Sequence, residues 1–162
     1  MRRFVATAAI VGMAAGMTAG CGATTRQGGV TSAAATPLTS AHVTFLTRDD
    51  GKDEDSAVTL QLLRSNAELA AELRHTGTEF DDNTTSAPMV LALAAAPFRL
   101  ADIDTGQVRV RITPDGQDDW SFDLRMTLQF ADGTARNFFW NDIRLNNAAP
   151  ERVLALSPAR VP

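Results

Sequence analysis

The 162-residue chain contains one cysteine, Cys21, so no disulfide can form within it. It also lacks the short motifs of several common chemistries. There is no GxxxxGK[ST] phosphate loop, no GxGxxG dinucleotide turn, no G-x-S-x-G nucleophile elbow and no H-E-x-x-H zinc helix. Its two histidines, His42 and His75, sit in strand-like stretches and belong to none of these motifs. A basic excess is missing too: the net charge is −4. That argues against binding nucleic acid and against docking on anionic headgroups, both of which need a basic surface. No apolar run is long enough to span a bilayer comfortably.

What is present begins at the N-terminus with MRRFVATAAIVGMAAGMTAGC. Two arginines, an uncharged apolar segment and small residues before a cut have the order of a bacterial export signal. Thr18-Ala19-Gly20-Cys21 resembles the lipobox of bacterial lipoproteins. The resemblance implies cleavage after Gly20 and acylation of Cys21, which would anchor the protein to the cell envelope. Multiple acyl chains make such an anchor effectively permanent, because each buried methylene adds about 0.8 kcal/mol. Gly22 is not the aspartate that resembles an inner-membrane retention signal, so a two-membrane cell would send the protein to the outer membrane. With one membrane, the extracytoplasmic face of the plasma membrane is expected.

Loss of residues 1–20 removes Arg2 and Arg3 from 15 basic residues set against 19 acidic ones, leaving a net charge of −6. Residues 21–40 are small and polar and bury too little surface to offset ordering, so they read as a lipid-anchored tether. One domain is expected over 41–147, followed by a loosely attached tail, 148–162, in which Val153, Leu154 and Leu156 offer a short edge strand.

Within that domain the apolar period is two. Trp120, Phe122, Leu124, Met126, Leu128 and Phe130 share one face; Ser121, Asp123, Arg125, Thr127 and Gln129 take the other. Val108, Val110 and Ile112 repeat the pattern, as do Val43, Phe45 and Thr47, and then Val58, Leu60 and Leu62. Met89, Leu91 and Leu93 form a further candidate, and Phe139, Ile143 and Leu145 another. A strand is also expected from about Leu69 to Phe80, although Leu69 and Leu73, with Ser65 and Glu68 as a capping box, equally suit a helix. Asp50-Gly51, Thr105-Gly106, Asp115-Gly116 and Asp132-Gly133 supply turns, with positive φ expected at the glycines. The sum is an all-β, antiparallel β-sandwich of about eight strands. Trp120 belongs to the core by register, whereas the run Phe138-Phe139-Trp140 leaves the face of Trp140 open.

The segments TRDDGKDEDSAVTLQLL, FDD at 80–82 and DIDTGQVRVRITPDGQDDWSFDLRM together resemble the PLAT/LH2 sandwich family in the type and order of their residues. That resemblance implies a C2-like sandwich that docks on lipids or proteins, sometimes with calcium in its loops.

The residues themselves direct attention to the same loops. Residues 49–55 hold five carboxylates in seven positions, and 115–119 hold three in five. Calcium takes six to eight oxygens from flexible acidic loops of this kind, so Asp49, Asp50, Asp53, Asp55, Asp115, Asp118 and Asp119 are its candidate ligands. The same composition suits two solvated turns, and neither loop has EF-hand spacing. Asp81-Asp82 is a weaker third group. The expectation for function is a non-enzymatic, membrane-anchored binding or structural module facing an envelope protein or glycan. The alternative is an envelope hydrolase that uses loop carboxylates as acid and base.

Overall fold

Alternation of large apolar and polar side chains produces the strands of this protein, seen in a computed structural model that describes residues 33–116 and 118–156. The export signal, Cys21 and residues 22–32 lie outside the described residues. Nine strands are present among those described: β1 (Leu38–Thr47), β2 (Ala57–Leu63), β3 (Leu69–His75), β4 (Met89–Val90), β5 (Ala92–Leu93), β6 (Gln107–Thr113), β7 (Asp119–Phe130), β8 (Ala135–Asn146) and β9 (Glu151–Ala155). They form two sheets, β4-β1-β7-β8 and β5-β3-β2-β6-β9. Every pairing is antiparallel. The inner faces of the sheets meet in one core, as the alternation requires.

At the centre of that core Trp120 is fully buried, stacked on Phe122 at 3.9 Å and on Phe80 at 5.2 Å between ring centres, with Phe45 at 5.1 Å. Its indole N–H donates to Thr47 Oγ1 at 3.3 Å, so its one polar atom is satisfied inside the sandwich.

Four expectations change. The Leu69–Phe80 strand stops at His75, because the chain turns through Gly77 with φ of 72°, and Phe80 returns only as an isolated bridge to Lys52. The stretch around Leu91 splits into two short strands, one in each sheet. Phe139 is exposed, not inward, while Ile143 and Leu145 are buried as expected: Phe138 takes the inward place before the bulge, since Asp142, with φ of 59°, lies opposite Phe122 and Leu124 where the alternation shifts by one residue. Gly51 and Gly106 do not use a positive φ but make room, as a Cβ would lie 2.7 Å from the Phe80 carbonyl oxygen at Gly51 and 2.8 Å from the Asp102 carbonyl oxygen at Gly106.

The folded region also reaches beyond 41–147 at both ends. Leu38 is buried, and the Ala131 N–H donates to the Pro37 carbonyl at 3.0 Å. At the other end β9 pairs with β6, and Leu156 is fully buried with its N–H donated to Gly106. These contacts set a polarity on the sandwich. Chain entry at Leu38 and exit at Leu156 share the end that holds the Phe130–Thr134 turn and the Leu100–Gly106 segment. Loops 48–56 and 114–118 cap the opposite end, because β1 finishes there at Thr47 and Ala57 at the start of β2 pairs with Thr113.

Candidate functional site

The two acidic loops meet. Carboxylate oxygens of Asp53, Asp55 and Asp118 lie within 4.8 Å of one another, with Asp118 buried and the other two exposed. Ser56 joins the loops: its hydroxyl donates to Asp118 Oδ2 and accepts the Asp115 N–H at 3.0 Å. Asn147 braces the second loop from β8's far end, accepting the Asp118 N–H at 3.2 Å and donating to the Gly116 carbonyl at 2.6 Å.

Lys52 was not anticipated as part of this site. Set in a run of carboxylates it reads as solvated, yet its side chain is fully buried. Backbone pairing with Phe80, N–H to carbonyl in both directions at 3.1 and 2.9 Å, turns the side chain inward. Its ammonium donates to the carbonyls of Asp53 and, at 2.6 Å, Ser56, and lies 5.6 Å from the centre of the Phe80 ring. Burial holds this ammonium below the usual lysine range, opposed by the nearby charges of Asp118, Asp55, Asp53 and Glu79. A buried lysine is tolerated when its donors and charge find partners; here two carbonyls each accept a hydrogen bond and the nearby carboxylates offset the charge.

The remaining candidate carboxylates are placed differently. Asp119 forms a two-point ion pair with Arg144, whose guanidinium holds the Asp119 carboxyl below the usual range and also stands 3.7 Å from Asp50. Asp49 and Asp115 are exposed and outside both groups; Asp115 contributes its backbone N–H. Asp81 and Asp82 are exposed and also join neither group.

Tested against a hard cation, the Asp53, Asp55 and Asp118 carboxylates are suitable oxygen ligands. The carbonyls of Asp53 and Ser56 in the same loop already accept from Lys52. Of the two histidines, His75 stacks on Phe80 at 5.1 Å, and its Nε2 is buried without a hydrogen-bond partner. Trp140 is half-buried against Phe138, with its indole N–H donated to the Ala155 carbonyl at 3.2 Å.

Compared with known proteins, the chain matches no family model, and no curated protein matches it.

Proposed function

We propose that this protein is a non-enzymatic envelope lipoprotein, held to the membrane through acylated Cys21, whose β-sandwich presents its acidic end to an envelope partner. The observation that supports this reading is the polarity of the sandwich: the chain leading back to Cys21 enters at Leu38, opposite the end capped by loops 48–56 and 114–118. A module tethered at one end leaves the other accessible. The direction of the Asp119 shift, downward through Arg144, is opposite to what a general acid at neutral pH needs, which weighs against the hydrolase alternative.

A calcium-dependent form of this reading is favoured by the convergence of Asp53, Asp55 and Asp118. Calcium there would draw the two loops together by adding positive charge to that which Lys52 already supplies.

The anchor is tested by metabolic labelling with a fatty acid and by membrane sedimentation. The wild-type protein should take up label and sediment with membranes, and Cys21→Ser should do neither. Equal labelling and sedimentation of the two proteins would overturn the reading.

A further inference from the structure

The outer face of the five-stranded sheet carries a polar groove of about 320 Å³, far from the acidic loops in character. Register builds it. Thr59 at the centre of β2 is flanked by Arg74 on β3 and Arg111 on β6, and one pleat further along Gln61 is flanked by Glu72 and Arg109. With strands about 4.8 Å apart, the two arginines beside Thr59 straddle it at roughly 10 Å, a span suited to one small ligand unit.

The charges in the groove do not cancel. Glu72 is committed to its own side, accepting from Arg74 at 2.8 Å and from Gln61 at 2.9 Å. Glu151 stands 3.4 Å from Arg109, close enough to offset its charge but not aligned to accept from Nε, which stays buried and unpartnered. Arg111 faces Glu151 across the β6–β9 pair, but that carboxylate leans to Arg109, and Arg111 stays exposed with no ion pair or side-chain hydrogen bond to any described residue. Its planar fork matches a carboxylate or phosphate in two-point geometry. The hydroxyls of Thr59, across the strand pair, and Thr113, two residues along the same face, lie to either side.

We infer that this groove binds an acidic sugar unit of a glycan, with its carboxylate on Arg111 and its hydroxyls on Thr59, Gln61 and Thr113. The lining is polar throughout, which suits a ligand dense in hydroxyls, and the volume lies at the lower end of the range for small-ligand sites. Because the chain as a whole is acidic, long-range attraction does not favour an anion. Recognition therefore has to come from contacts in the groove. Thr113 adjoins the acidic end, but Arg111, Thr59 and Gln61 lie on the outer sheet face and none belongs to the Asp53, Asp55 and Asp118 group, so this inference and the function proposed above can fail independently.

The test is calorimetric titration of the full-length protein in detergent with trigalacturonate, neutral maltotriose and inorganic phosphate at constant ionic strength. Trigalacturonate should bind, with the other two weaker by about tenfold or more. Arg111→Gln should weaken trigalacturonate by a similar factor, Thr59→Val should weaken it measurably, and Arg144→Gln on the opposite sheet should leave it unchanged. Absence of trigalacturonate binding, equal binding of maltotriose or phosphate, indifference to Arg111→Gln and Thr59→Val, or equal loss in Arg144→Gln would each overturn the assignment.

Discussion

Ser56 and Asp118, 62 residues apart in sequence, share a buried hydrogen bond that joins the loop before β2 to the loop before β7. The same hydroxyl also accepts the Asp115 N–H, so one small side chain fixes the relative position of two acidic segments. Ser56→Ala leaves the buried Asp118 oxygen without its donor, and the expected loss is about 1–3 kcal/mol in urea unfolding. A loss below about 0.5 kcal/mol would show that the loops are held together by other means.

Lys52 makes a second, distinguishable contribution. Lys52→Met keeps the length and apolar stem while removing the ammonium from two loop carbonyls and from the Asp53, Asp55 and Asp118 group. The variant should be destabilised by about 1–3 kcal/mol. The loss should shrink when Asp53→Asn is added, because the remaining like charges then repel less. Strict additivity of the two substitutions would contradict the coupling.

Acid should weaken the fold through His75. Burial holds its imidazole below the ordinary value of 6.5, with Lys52 acting in the same direction. The unfolded chain therefore binds a proton more readily than the folded one, and stability falls as pH drops below about 6.5 towards the folded value. His75→Phe, which retains stacking on Phe80, should flatten that part of the stability profile. An unchanged slope between pH 6.5 and pH 5 in the variant would assign the effect to other groups.

The sequence reading was strongest where neighbours along the chain decide the outcome. In β7 every second residue from Trp120 to Phe130 is buried, as the alternation implies, and Leu124→Ala should cost about 2–5 kcal/mol. Arg125→Ala, which loses only an exposed contact with the Phe139 ring, should cost less than about 1 kcal/mol. In β8 the same rule placed Phe139 inward and failed, because the bulge at Asp142 is set by pairing with β7 and resets the register between Trp140 and Ile143. Lys52 was hidden for a related reason: its burial depends on a bridge to Phe80, and five surrounding carboxylates make the segment read as wet. Composition marks both acidic loops but leaves open whether they meet, and the approach of Asp53 and Asp55 to Asp118 is visible only in the fold. The separation of Asp119 and Asp50 towards Arg144 needed the β7–β8 register to be seen.

The proposed calcium-dependent form predicts a response selective for that ion. If Asp53, Asp55 and Asp118 hold the ion, calcium a hundredfold above Kd should stabilise the fold by about 2.7 kcal/mol. Magnesium, which requires a tighter octahedron, should do less at equal ionic strength. Asp53→Asn with Asp118→Asn should abolish the difference, whereas Asp119→Asn should preserve it. Equal melting temperatures in the two ions would leave Lys52 as the only cation of the site.

The proposal that the sandwich works through its acidic end is tested most directly by photocrosslinking in intact cells, with the reactive side chain placed at Glu54 in the acidic loop or at Ala135 beside the chain-entry end. Both positions are exposed, so neither substitution disturbs the core. The account predicts a discrete adduct from Glu54 that is lost in Cys21→Ser, with none from Ala135. An adduct from Ala135 and not Glu54, or one from Glu54 that persists without the anchor, would contradict it.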